Sequence, residues 1–396
     1  METTRPFRSS TSLLALTLAA GLIPATGHAA THTWDGGGGS SSWGTGANWS
    51  PDNPDFNSTT DFIFGSSGAN TYTGVGTVGG TRTINSLTYN DSYATSGGRV
   101  RFNSSGASGS GNANNLRFEG TGMGIYLTSG MTGSMDLGSG GSSVFGNMQL
   151  NGNMTITNDS PTGTLTISAP IIDQTSARNM TKNGVGLVTF TRANTYAGTT
   201  AVNNGILRIN GTHTGGGTYT VGAAGTLQGT GSVSSTLDVS GTLSPGASVQ
   251  SFASGTLNML TGSTFEAELN SSVAISSGAD LQVVNGDLNL TGTVTLTLGD
   301  LASLPAAFAP GSTLSLLNYS GAWNNGLFTF GTALADGDTF TAGLNTWLID
   351  YDATTGGQNF NQDFVTGRFV NITAIPEPGA TLLASLSLLA LARRHR

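Results

Sequence analysis

Apolar and polar residues alternate in short runs along most of the chain. Between Met180 and Gly211, Val188 and Phe190 fall on one side of an extended strand, with Thr189 and Thr191 on the other. Leu207 and Ile209 repeat the pattern, with Arg208 and Asn210 outside. Blocks of this type recur: Gly163-Thr-Leu-Thr-Ile, Gly186-Leu-Val-Thr-Phe, Gly205-Ile-Leu-Arg-Ile, Gly225-Thr-Leu, Gly241-Thr-Leu, Gly255-Thr-Leu-Asn-Met and Gly286-Asp-Leu-Asn-Leu. Their starts lie about 14 to 31 residues apart, several near 20, which is the range of stacked coils. No helix-period pattern intervenes. The pattern predicts an all-β protein: a right-handed parallel β-helix, or β-solenoid, with terminal caps. Each coil makes two or three short strands, and each strand pairs in parallel with its equivalent one coil on. Val188, Phe190, Val202, Leu207 and Ile209 are expected in one continuous core, with Thr189 and Arg208 outside. Each inward side chain contributes about 1.5–3 kcal/mol if fully buried. Asn194-Thr-Tyr-Ala-Gly198 and Asn203-Asn-Gly205 supply residues suited to turns and positive φ. Stacked Asn and Thr at matching positions are expected to form hydrogen-bond ladders. The solenoid is assigned to residues 66–300.

The stretch 180–211 closely resembles the autotransporter-associated β-strand repeat. In that family a Gly-Thr-Leu strand leads to Ala-Asn-Thr-Tyr-x-Gly and then to Asn-x-Gly-x-Leu. Gly241-Thr-Leu-Ser-Pro-Gly246, Gly262-Ser-Thr-Phe-Glu-Ala-Glu-Leu269 and Asp280-Leu-Gln-Val-Val-Asn-Gly286 fit the same family. The clear resemblance covers residues 179–299. It implies a passenger-like β-helix displayed outside the cell, with no catalytic residue. After Gly299 no set of long alternating strands is adequate for an outer-membrane barrel, so display needs another route.

The two ends of the chain suggest one. Residues 1–29 read as a secretory signal peptide: Arg5 and Arg8 are the basic region, Leu13 to Ile23 the apolar core, and signal peptidase is expected to cut after Ala29. At the other end, Pro376-Glu377-Pro378 is held extended by its prolines. An apolar run follows from Ala380 to Ala392, then Arg393-Arg394-His395-Arg396. Arginines in that place stay on the cytoplasmic side of a membrane. This tail, 375–396, resembles the PEP-CTERM sorting signal. The resemblance implies an exosortase-type membrane protease as partner, with Pro376, Glu377, Pro378, Arg393, Arg394 and Arg396 as the signal. It implies transient anchoring in the inner membrane and delivery to the cell envelope or the extracellular matrix. The run is shorter than the roughly 20 residues of a full span.

Residues 30–65 hold Trp34, Trp43 and Trp49, three of the five tryptophans. Two readings stand: a hydrophobic cap over the first coil, or indoles exposed for sugar stacking. Residues 301–373, with Trp323 and Trp347, read as the C-terminal β region or cap, or as a separate small β domain.

Composition narrows the function. Only 9% of residues are charged, Lys182 is the sole lysine and the net charge is −8, so nucleic acid is not an expected partner. Cysteine is absent, so packing and hydrogen bonds must hold an exported chain. His32 falls near the expected new amino terminus, His213 in a repeat turn and His395 in the tail, and no spacing suggests a metal cluster or a Ser-His-Asp triad. Three carboxylate pairs merit attention because β-helices host pectate lyases and polygalacturonases: Glu266 with Glu268, Asp336 with Asp338, and Asp350 with Asp352. Residues two apart on a strand share a face, but nothing in the sequence places two pairs together. Calcium at Asp336-Gly-Asp338 falls short of the six to eight oxygens the ion takes, and a solvated turn is the other reading. The expectation is an exported structural or adhesive protein with no enzymatic activity, no cofactor and no metal, and exopolysaccharide as a candidate partner. The alternative is a polysaccharide lyase or glycoside hydrolase on the same scaffold.

Overall fold

A computed structural model describes residues 30–39, 43–65, 81–90, 98–100, 115–138, 146–272, 278–358 and 367–376. They form β-strands, turns and one short 3-10 turn at Gly46–Asn48. Most strands pair in parallel with the equivalent strand of the next coil, so the chain is a β-solenoid.

Each complete coil has three faces. On the first, Met154–Asn158, Met180–Asn183, the start of Thr200–Ile209, the start of Tyr219–Gly229, Leu237–Val239, Leu257–Met259 and Leu288–Leu290 stack in register. On the second, Thr164–Ser168, Leu187–Phe190, the two long strands' later halves, Thr242–Pro245, Thr264–Leu269 and Val294–Asp300 do the same. The third carries shorter strands: Met148–Leu150 and Ile171–Asp173, then Thr212–His213, Ser232–Val233, Ser251–Ser254, Leu281–Val284 and Thr313–Tyr319. Asn194 bridges the two parts of that face, through Ile171 below and His213 above.

Period-2 alternation sets the core. Leu165, Val188, Leu207, Leu227, Leu243, Phe265 and Leu296 form one inward row across seven coils, each buried. Phe190 stacks between Ile167 and Ile209, and Val202 lies in the first-face row. Thr189 departs from expectation. It alternates outward but is only 8% exposed, because Thr166 and Arg208 flank it in register on the neighbouring strands.

Of the turn residues, Gly205 takes the left-handed conformation (φ 65°), whereas Asn203 and Asn204 do not. Gly198 is required for a different reason: a Cβ there would lie 2.1 Å from the Arg178 carbonyl oxygen of the coil below.

Both ends of the stack are closed. Ala30–Trp34 pairs in parallel with Thr60–Gly65 and antiparallel with Trp49–Ser50. Trp34, Trp43 and Trp49 are buried against Phe62 and Phe64, so none offers a free face for a sugar. At the other end, Thr313–Tyr319 pairs antiparallel with Arg368–Ile375, which pairs antiparallel with Asn345–Ala353, itself paired with Thr339–Ala342. These strands extend the third face and carry its hydrogen bonding to the end of the stack.

Candidate functional site

The repeat buries three polar side chains that carry titratable chemistry. Lys182 lies in the inward row between Ile156 and Val202 and is 1% exposed. Its Nζ donates to the carbonyl oxygens of Gly184 (2.6 Å) and Asn204 (2.8 Å). These carbonyls belong to the corner between the first two faces, where the long strands carry a bulge between Val202 and Asn204. Burial lowers the amine to about 8, opposed by the charge of Asp159.

His213 is buried on the third face, not set in a solvent turn. Its Nε2 lies 2.7 Å from the Tyr196 carbonyl oxygen, which can only accept, so Nε2 carries the proton. Nδ1 then accepts from the Tyr219 hydroxyl at 2.6 Å. Tyr219 is 3.0 Å from the Tyr196 hydroxyl, which is 2.6 Å from Thr200 Oγ1. Burial pushes His213 down, partly offset by the Tyr196 carbonyl and by Asp173. Asn194, Tyr196, Gly198 and Thr200 of the repeat motif thus serve packing between coils: Asn194 Oδ1 accepts the Ile171 amide at 2.9 Å, and the Tyr196 ring lies tilted against that of His213 with centroids 4.1 Å apart.

Asp280 is the third. It is fully buried, and its two oxygens accept the backbone amides of Gln250 and Glu268, both at 2.8 Å. Burial drives its carboxyl up to about 8, with Glu268 and Glu266 adding to the rise against those amide bonds. Glu268, half-buried on the same strand as exposed Glu266, is also raised by burial and by Glu266. The Glu266/Glu268 pair therefore does share a face. Its third member, Asp280, was visible in the sequence only as a repeat residue.

One member of the Asp336/Asp338 pair reaches the strand that carries Asp350 and Asp352, a placement the sequence did not supply. Asp336 Oδ1 accepts the amide of Tyr351 (3.0 Å), the residue between Asp350 and Asp352. The antiparallel cap causes this, and alternation does not encode it. Asp338 Oδ2 accepts the Ala335 amide within its own turn, and Asp350 Oδ1 accepts the Asp352 amide. Asp352 binds the Tyr319 hydroxyl (3.0 Å) and forms an ion pair with Arg368 (2.9 Å), both partners about half exposed. Among the described residues no group of three or more His, Asp or Glu is placed to hold a metal ion.

Outside, side chains align in rows. Thr226, Thr242, Thr264, Thr295 and Thr329 occupy matching positions on successive second-face strands, all partly exposed. The first face carries an amide ladder: Asn258 donates to Asp238 (2.6 Å) and Asn289 to Asn258 (2.7 Å). Asn203 donates to Asn183 likewise (3.0 Å).

Of the sorting-signal residues, Pro376 is exposed and ends the described chain after Arg368–Ile375. Glu377, Pro378, Arg393, Arg394 and Arg396 lie outside the described residues, as does the cleavage position Ala29. Among the described residues no helix is long and apolar enough to cross a membrane.

Comparison with curated proteins finds no match for the chain. Residues 180–209 match the family model of the passenger-associated-transport repeat. The match falls on the coil that buries Lys182, Phe190 and Tyr196, and it supports the autotransporter-associated repeat in that stretch.

Proposed function

We propose that this chain is an exported, non-catalytic β-solenoid delivered to the cell envelope of a Gram-negative-type bacterium, where it serves a structural or adhesive role at the surface or in the polysaccharide matrix. The observation that carries this reading is the five-threonine row on the outside of a stack whose coil 180–209 matches a passenger repeat. Strands in a sheet lie about 4.7–4.9 Å apart, so the row is a regular line of hydroxyl groups. The amide ladder on the adjoining face adds a second line. An extended glycan lying along the rod meets donors and acceptors at each coil. Signal peptidase releases the amino end after Ala29. An exosortase-type protease reads Pro376-Glu377-Pro378 while the run Ala380 to Ala392 anchors the precursor.

Two variants test the route. Glu377→Ala is expected to leave export intact and to trap the precursor in the inner membrane on cell fractionation. Replacing Arg393, Arg394 and Arg396 with Ser is expected to release some unprocessed chain. Wild-type location and mass in both variants would remove the sorting argument.

The second reading, a polysaccharide lyase or hydrolase, draws on Asp336, Asp350, Asp352 and Arg368 at one edge of the cap. Arg368 is paired with Asp352 there, and the other carboxylates hold backbone amides. Incubation with neutral and acidic polysaccharides, with and without calcium, separates the two. Release of reducing or unsaturated ends that Asp352→Asn abolishes would favour the enzyme.

A further inference from the structure

Five large hydrophobic residues are exposed among the described residues, and three gather at one end: Leu301 (45%), Leu304 (83%) and Leu344 (58%). Leu304-Pro305-Ala306-Ala307 is a continuous exposed apolar run, a pattern that a soluble surface avoids unless it meets something. The loop is built to display it. The Ala302 amide donates to Asp300 Oδ1 (3.0 Å) and the Ala306 amide to Ser271 Oγ (2.9 Å). Phe308 turns inward onto Trp347 (5.4 Å), and Asn345 clamps its backbone on both sides, accepting its amide at 2.9 Å and donating to its carbonyl at 3.0 Å.

This loop sits at the root of the tail. The Gly311 amide donates to the Ala374 carbonyl (2.7 Å), and Thr346, next to Asn345, pairs with Ile375. Only Pro376 to Gly379 separate that root from the apolar run starting at Ala380. Four extended residues reach at most about 14 Å. A tether that short holds the cap against whatever the run enters. The loop from Leu301 to Pro310 contains no charged residue, so it suits the apolar side of an interface and not anionic headgroups.

We propose that the loop 301–310, together with Leu344, is a lipid-contacting foot on which the anchored precursor rests at the membrane surface. The proposal rests on the reading of Ala380 to Ala392 as the membrane segment. The chain contains no cysteine, so single cysteines can be introduced and labelled cleanly. A polarity-sensitive fluorophore is placed at Leu304→Cys, Leu344→Cys, Val185→Cys or Leu388→Cys in the chain from Ala30 to Arg396. Each is reconstituted in phosphatidylcholine vesicles, with or without phosphatidylglycerol, that carry nitroxide-labelled lipids. The expected result is deep quenching at 388, shallow quenching at 304 and 344, and none at 185, alike in both lipid mixtures. Adding Leu304→Asp is expected to abolish the quenching at 344. Quenching at 388 but not at 304 overturns the foot and leaves the anchor standing. Quenching at neither overturns both. Shielding of 304 seen only in native membranes, and not in protein-free vesicles, assigns the loop to a protein partner and overturns lipid contact.

Discussion

The coil from Met180 to Ile209 and the end from Thr313 to Ile375 solve the same problem in different ways. In the coil, each strand is covered above and below by a parallel neighbour in register. Its inward positions tolerate even an ammonium, because the bulged corner supplies two carbonyl oxygens to Lys182. At the end no further coil arrives. The chain folds back antiparallel, Asp338 caps a turn, Asp336 accepts an amide of the next strand, and Leu344 faces outward. Polar atoms inside this rod answer to coil-on-coil packing, while three of the five exposed large apolar residues among the described residues lie where stacking stops, against Val185 alone in the coil.

Mutation can break that contrast. Phe190→Ala is expected to have the largest effect, about 3–5 kcal/mol of unfolding free energy, because neighbouring coils fix the walls of the cavity. Denaturant unfolding of the mature domain measures it. Asp280→Asn comes next. An amide cannot accept from both Gln250 and Glu268, so one part-buried backbone N–H loses its partner, at a cost of about 1 kcal/mol.

Asp280 also changes the pH profile. Its carboxyl sits at about 8 in the fold and near 3.8 when unfolded, so the folded chain holds a proton that the unfolded chain releases between those values. Its contribution is complete below pH 3.8 and fades as pH rises to about 8. Lys182 works the other way. Its amine sits at about 8 in the fold and near 10.5 when unfolded, so stability rises between pH 8 and 10.5 as the unfolded chain gives up its proton. Unfolding curves across pH are expected to lose the first slope in Asp280→Asn and the second in Lys182→Met. A variant with the wild-type slope would show that the group titrates alike folded and unfolded.

Much of the rod was legible as a pattern. Period 2 places Val188, Phe190, Leu207 and Ile209 inside, and Gly-led blocks mark the coils. The third face was not legible, because strands as short as Thr212–His213 have no period, so His213 read as a turn residue. Lys182 follows Met180 at the spacing of an inward residue, but its charge argues for solvent until the corner carbonyls are known. Alternation does not encode strand direction, so the antiparallel cap, and the approach of Asp336 to Tyr351, appear only in the fold. Asn194 and Gly198 were legible as special positions but for the wrong reason. One bonds across coils, and the other makes room for the Arg178 carbonyl.

At the cap the smallest effect is expected. Leu304→Ser removes an exposed side chain and should shift unfolding by no more than about 0.5 kcal/mol, even though the residue is as apolar as any in the core. A larger loss would mean that the loop is part of the fold and not a surface for something else.

We propose that this rod is exported and sorted through its tail. Intact-mass analysis of the mature protein from its own host tests it most directly. The expected chain begins at Ala30 and ends near Pro376-Glu377-Pro378, having lost the run Ala380 to Ala392 and the terminal arginines. A mass corresponding to Met1 through Arg396 would contradict it.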